Sequence, residues 1–152
     1  MVDWTNPLTI LASIKDNIGV DYRITGLAAT NLYGYGLSTN VIEVALQTRE
    51  DLDSAARNLE LGEPTLSGND QFAWMHEYKG GEYTFYIKLR VEELGEPFLH
   101  PLGVVLHEKK LVMEILEPYV EMDVRVRKAI AFCALTLDPE KTEKYKEYWN
   151  RL

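Results

Sequence analysis

The chain has 152 residues, of which 46% are hydrophobic and 11% aromatic, which is an ordinary composition for a globular domain and excludes a disordered chain. A formal net charge of -8 argues against binding to a nucleic-acid backbone, because that binding draws its affinity from Lys and Arg. No apolar run approaches the roughly 20 residues of a membrane helix, and the N-terminal residues lack the pattern of a signal peptide. The sequence therefore predicts one soluble domain over residues 1–152 with no membrane partner.

The cysteine content favours a cytoplasmic protein. Cys133 is the single cysteine of the chain, so an internal disulfide is excluded, as expected in a reducing compartment. It lies in an apolar stretch with helical spacing, which indicates a buried structural thiol. A reactive thiol is the alternative.

Predicted helices and strands alternate in the first half of the chain, which indicates an α/β sheet. Thr5 or Asn6 can cap a first helix, with Pro7 at its first position and Gly19 just past its end. The next predicted elements are a strand at 22–25, a turn at Gly26, a short helix at 28–33, a strand at 41–46 and an amphipathic helix at 49–61.

The second half of the chain predicts a hairpin followed by helices. After a loop at 62–68, residues 72–78 and 83–91 alternate with a period of two around a turn at 79–81, so they form a hairpin that makes the sheet mixed. The remaining predictions are a break at 96–103 and helices at 107–117, 122–137 and 139–152. The fold class is therefore α/β (α+β): a mixed β-sheet portion at 1–103 with flanking helices, and a helical C-terminal portion at 104–152.

The last predicted helix is capped by Asp138 and carries an apolar stripe at helical spacing. The stripe consists of Tyr145, Tyr148, Trp149 and Leu152. Such a stripe is typical of a core or subunit contact, so a protein partner or a homo-oligomer is expected.

Three short segments carry a family resemblance. They are Thr25-Gly26-Leu27 with the following AATNLYG, the strand sequence STNVIEV at 38–44, and VVLHEKKLVMEIL at 104–116. In this order and spacing they resemble the minimal nucleotidyltransferases, especially small proteins related to abortive-infection toxins. The resemblance implies a nucleotidyltransferase-like mixed sheet with flanking helices.

The resemblance also implies a catalytic site, from which this chain departs. In the family, two acids one residue apart on a strand hold two Mg²⁺ ions that grip a nucleoside triphosphate. Here those positions are Val41 and Glu43, so one carboxylate survives. The Ser that follows the turn glycine in the family is Leu27, which donates no hydrogen bond.

Two further family positions also differ. The third carboxylate aligns with Thr84, Phe85 or Tyr86 on the second hairpin strand, and none of these is an acid. The phosphate-binding Lys of the family falls near Glu114 or Ile115, and a carboxylate there would repel a triphosphate.

Glu43 and the tyrosines around the expected cleft each have two interpretations. Glu43 is either a vestige of the catalytic pair or a structural acid that faces solvent or pairs with Arg23 or another base. Tyr33, Tyr35 and Tyr86 either line the cleft, where a flat ligand could stack without metal, or pack beneath the helices. No metal site is predicted, because the three histidines, His76, His100 and His107, lack metal-ligand spacing.

Three functions follow. The first is a nucleotidyltransferase-like pseudoenzyme that serves as a binding, regulatory or subunit module and needs no cofactor. The second is an active metal-dependent nucleotidyltransferase, toxin-antitoxin related, that uses Mg²⁺, a nucleoside triphosphate and Glu43 with another acid among Asp70, Glu77 and Glu82. The third is a nucleotide-binding sensor that needs no metal.

Overall fold

The computed structural model of the protein describes residues 6–34, 40–61, 66–67, 72–80, 83–90 and 93–137. The α-helices are α1 (Pro7–Asn17), α2 (Gly26–Leu32), α3 (Arg49–Asn58), α4 (Lys109–Leu116) and α5 (Val124–Leu137), and a 3-10 turn (Glu117–Tyr119) follows α4. The strands are β1 (Arg23–Thr25), β2 (Val41–Leu46), β3 (Leu66–Ser67), β4 (Phe72–Gly80), β5 (Tyr83–Arg90), β6 (Pro97–Leu99) and β7 (Val105–His107). In this described part, no helix combines the length and the apolar character needed to cross a membrane.

The strands form a mixed sheet in the order β3-β4-β5-β2-β1-β7-β6. The hairpin β4–β5 and the pair β1–β2 are antiparallel, whereas β2 runs parallel to β5 and β1 runs parallel to β7. The predicted α/β fold class with a mixed sheet is thereby confirmed, and so is the predicted hairpin. The second strand of the hairpin, β5, lies beside β2, as expected of the strand that would carry the third carboxylate of the family.

Two helices begin at polar caps that the sequence supplies. The Asn6 side chain accepts a hydrogen bond from the Leu8 N–H at 3.0 Å, which confirms the predicted start of α1 at Pro7. Thr48 caps α3 in the same way, since its Oγ1 accepts from the Asp51 N–H at 3.0 Å. Both caps satisfy backbone donors that have no partner inside the helix.

One face of the sheet carries the apolar core. Ile24 is the register partner of both Val44 and Leu106, and Val44 is the partner of Ile87, so these four side chains share one face. All four are fully buried in a cluster with Ile10 and Ile14 of α1 and Leu52 and Ala55 of α3. The core therefore fixes which residues of β1, β2 and β5 point the other way.

The opposite face of the sheet is polar near its centre. Thr25 pairs with Glu43, and Glu43 pairs with Tyr86, so these side chains lie side by side across β1, β2 and β5. A small apolar cluster of Ala45, Leu94, Leu111 and Ile115 brings α4 onto this face. A polar strip is thus left between the sheet and α4.

Three strands were missed by the sequence, and the predicted helical start after residue 103 is wrong. Val105–His107 is strand β7, parallel to β1, and helix α4 begins only at Lys109. Pro97–Leu99 forms the edge strand β6 inside the predicted break, and Leu66–Ser67 forms β3 inside the predicted loop. Strands of two or three residues are too short to show an alternating pattern. The last predicted helix, at 139–152, lies outside the described residues.

His107 is the last residue of β7 and a buried titratable side chain. It is fully buried, and neither ring nitrogen makes a hydrogen bond with any described group. Burial, reinforced by the charges of Arg90 and Arg23, lowers the pKa of His107 from 6.5 to about 3, and the nearby Leu94 backbone opposes this weakly. The imidazole is therefore neutral in the folded protein.

This buried imidazole predicts an acid-sensitive fold. Because the pKa of His107 is lower in the folded state, the unfolded state binds more protons below pH 6.5. The free energy of unfolding is therefore unaffected by His107 above pH 6.5 and falls as the pH is lowered towards 3. The fall is about 1.4 kcal/mol per pH unit once the imidazole of the unfolded state is charged. Urea unfolding of wild type and His107→Leu between pH 7 and pH 5 should give a steeper loss for wild type. Equal slopes would contradict this account.

Candidate functional site

A cleft of about 510 Å³ opens on the polar face of the sheet, between β2, β5 and the helices packed above them. Its walls are mostly apolar and consist of Leu27, Val41, Ile115, Leu116, Met122 and Val126. Its polar lining consists of Glu43, Lys88, Asp123 and the two tyrosines Tyr86 and Tyr119. The volume is that of a small-molecule site.

Strand register brings the expected site residues together. Val41 and Glu43 stand two residues apart on β2 and so share a face, and Tyr86 is the register partner of Glu43 on β5. Leu27 reaches the same cleft from the start of α2. Four residues selected from the sequence, Leu27, Val41, Glu43 and Tyr86, thus surround one space.

Glu43 forms an ion pair inside the cleft. Its Oε1 lies 3.3 Å from Lys88 Nζ, and the side chains of Glu43 and Lys88 are 23% and 12% exposed. The ammonium also lies 5.5 Å from the centroid of the Tyr86 ring, within reach of a cation–π interaction. Glu43 is therefore paired with Lys88 and not with Arg23.

Arg23 is occupied elsewhere. Its Nη1 donates to Asp21 at 2.6 Å and to the Tyr22 carbonyl at 2.8 Å, and its Nη2 donates to the Gly95 carbonyl at 2.9 Å. Arg90 likewise donates from Nε to the Glu93 carbonyl at 3.0 Å. These two buried arginines hold the segment that follows β5 against the sheet.

Gly26 allows the Glu43 carboxylate to lie close to the backbone, as a glycine at a turn permits. Its φ of +67° lies in the left-handed region that favours glycine. A Cβ atom at this position would lie 2.5 Å from Glu43 Oε2. The carboxylate of Glu43 is therefore held between the Gly26 backbone on one side and the Lys88 ammonium on the other.

Of the three tyrosines proposed for the cleft, Tyr86 lines it and Tyr33 packs elsewhere. The Tyr33 hydroxyl donates to the His107 carbonyl at 2.6 Å, and its ring lies 5.0 Å from that of Phe98 and 5.2 Å from Lys109 Nζ. Burial raises the pKa of Tyr33. This residue thus connects α2 to β7 and is not among the residues that line the cleft. Tyr35 lies outside the described residues.

Lys88 is the site residue that the sequence argument missed. The family resemblance directs attention to an acid at 84–86, whereas the charged residue of this strand in the cleft is Lys88. The signal was nevertheless present, because Lys88 follows Tyr86 by two residues and must share its face if 83–91 is a strand beside β2.

The residues of the cleft do not fit a divalent metal. Among the described residues, no group of three or more His, Cys, Asp and Glu side chains could hold a metal ion. Mg²⁺ requires several hard oxygen ligands, whereas Glu43 is paired with Lys88 and Val41 supplies no oxygen.

The other acids weighed for an active site do not change this picture. Glu77 is the register partner of Tyr86 on β4, two strands away from Glu43, which is about 10 Å at ordinary strand spacing. Asp70 and Glu82 lie outside the described residues.

Comparison with known proteins yields two structural similarities. No protein-family model matches the chain, and no curated protein matches its sequence. A protein of H. pylori assigned as a nucleotidyltransferase is similar with a TM-score of 0.44 and 12% identity, over 90% of this chain and 76% of that one. JHP933 of Helicobacter pylori is similar with a TM-score of 0.41 and 11% identity, over 88% and 72%. Similarities of this size carry no conclusion about activity.

The contact between Gly26 and Glu43 predicts a costly substitution. Gly26→Ala should lower the free energy of unfolding by about 1–2 kcal/mol through the left-handed backbone alone. It should lower it further because the new methyl group pushes the Glu43 carboxylate away from Lys88. In a Glu43→Ala background the further loss should disappear, and urea unfolding of the four proteins measures both parts. Identical effects of Gly26→Ala in the two backgrounds would show that the carboxylate moves aside freely.

Proposed function

We propose that this protein is a nucleotidyltransferase-like domain that has lost metal-dependent nucleotidyl transfer and serves as a binding, regulatory or subunit module. The observation that carries the proposal is the ion pair between Glu43 and Lys88, with Val41 beside it in the cleft. The three sequence segments that resemble the minimal nucleotidyltransferases support it, because their site positions surround this cleft.

The chemistry of nucleotidyl transfer explains why this observation matters. Transfer on this kind of site depends on metal ions that neutralise the phosphates and activate the attacking hydroxyl. The cleft has two described carboxylates, Glu43 paired with Lys88 and Asp123 paired with Arg125, and these supply too few free oxygens. An apolar Leu27 cannot hold a phosphate by a hydrogen bond. The cleft is retained while the catalytic groups are replaced.

The second candidate is a nucleotide-binding sensor that needs no metal, and Tyr86 favours it. The ring of Tyr86 lies in the cleft with Tyr119, and the volume of about 510 Å³ suits a flat ligand the size of a nucleoside. Either role implies that the protein acts through a protein partner or a second copy. The net charge of -8 disfavours nucleic acid as that partner.

Thermal unfolding with ribonucleoside triphosphates, each with and without Mg²⁺ or Mn²⁺, tests this function. We expect no stabilisation that requires metal. A real ligand at one hundred times its Kd would stabilise the fold by about 2.7 kcal/mol, which raises the Tm by roughly 5–11 °C in a domain of this size. A shift with nucleotide alone that Tyr86→Ala abolishes would select the sensor. Metal-dependent nucleotide transfer that Glu43→Gln abolishes would refute the pseudoenzyme and establish an active nucleotidyltransferase.

A further inference from the structure

We infer that the Lys88 ammonium takes the place at Glu43 that a divalent cation would need, so that the cleft carries its own cation and, with Val41, is closed to Mg²⁺ and Mn²⁺. The inference rests on the proposed function, and it names the residue that makes the site metal-independent. Lys88 lies on β5, the strand on which the family resemblance implies an acid.

The contacts of the Glu43 carboxylate leave little access for a metal ion. Oε1 lies 3.3 Å from Lys88 Nζ. Oε2 lies against the Gly26 backbone, so close that a Cβ atom on residue 26 would be only 2.5 Å from it. The neighbouring position on the same face of β2 is Val41, which offers no oxygen. A divalent ion would have to displace the ammonium, and the other described carboxylate of the cleft, Asp123, is already paired with Arg125 at 2.9 Å.

Strand register holds Lys88 in this place. Lys88 is the register partner of Ala45, two residues beyond Glu43, on the parallel neighbour β5. The side chain of Ala45 ends at its methyl group, so Lys88 can cross above it towards Glu43, a diagonal contact of the kind that long side chains make in sheets. The Tyr86 ring, 5.5 Å from Nζ, adds a favourable interaction with the same charge.

Burial of Lys88 disfavours a metal ion at Glu43. The Lys88 side chain is only 12% exposed, so its charge is screened less than that of a surface lysine. A divalent ion near Glu43 would meet this charge a few ångströms away, and like charges at that range repel strongly where water is scarce. The ligands that suit the cleft are therefore ones that bring no chelated metal, such as an uncharged ring that stacks on Tyr86.

Manganese binding by purified proteins tests this inference, with wild type, Val41→Asp, Lys88→Met, Val41→Asp/Lys88→Met and Val41→Asp/Lys88→Arg as the main set and Glu43→Gln variants as controls. Mn²⁺ alone is the probe, followed by calorimetry and by the spin-resonance signal of the free ion, after circular dichroism has shown that each protein is folded. We expect one Mn²⁺ to bind Val41→Asp/Lys88→Met at least tenfold more tightly than wild type or either single variant. Lys88→Arg keeps the positive charge, so its double variant should bind no better than Val41→Asp. Adding Glu43→Gln to Val41→Asp/Lys88→Met should abolish binding.

Three results would overturn the inference. They are Mn²⁺ binding by wild type that Glu43→Gln removes, equal binding by Val41→Asp with and without Lys88→Met, and no binding by the folded Val41→Asp/Lys88→Met protein. No nucleotide is present, so these failures are distinct from failure of the proposed function, which nucleotide transfer by wild type would show.

A second measurement decides the matter if removal of Lys88 prevents folding. Acetic anhydride should modify Lys88 several-fold more slowly in wild type than in Glu43→Gln, because the ion pair with Glu43 holds the Lys88 side chain inside the cleft, where the reagent has little access. Peptide mass spectrometry measures both rates, and the other lysines serve as internal standards. Equal rates at Lys88 in the two proteins would overturn the inference.

Discussion

The parallel pairing of β2 with β5 is the constraint on which both the core and the cleft depend. It sets Glu43 opposite Tyr86 and Val44 opposite Ile87. Because side chains alternate along a strand, the first pair faces the cleft and the second faces the core. A shift of β5 by one residue would turn its other face to the core and bury the charge of Lys88 beneath α1 and α3. The apolar residues of one face thereby fix the position of every polar residue on the other.

Sequence patterns predicted the fold wherever an element was long or had a distinctive end. The cap at Asn6 and the alternation along β4 and β5 are local properties, so the chain states them directly. Strands β6 and β7 have three residues each and depend on non-local pairing, because β7 pairs with β1 and β6 pairs with β7. Val105–His107 runs on towards the apolar pattern of α4, so the sequence predicts it to be part of the helical C-terminal portion at 104–152.

The site shows the same division between local and non-local information. The positions of Leu27, Val41 and Glu43 could be found from the family resemblance, because its first two motifs lie within one short stretch of the chain. The partner of Glu43 could not, since Lys88 meets it only through the pairing of two strands far apart in sequence. The position of Tyr33 likewise depends on tertiary packing. The sequence shows an aromatic residue at the end of α2, whereas tertiary packing directs its hydroxyl to β7.

The position of β1 between β2 and β7 has a consequence for the way the chain reaches this structure. Ile24 pairs with Val44 soon after both have left the ribosome, but its other neighbour is Leu106. Until that residue emerges, the second edge of β1 has no strand to pair with, and the apolar side chains of β1 depend on α1 and β2 for cover. The two parallel pairings close long loops, which is slow compared with the local β4–β5 hairpin. The hairpin therefore has time to form as a unit before it docks on β2, and the addition of β7 completes the centre of the sheet.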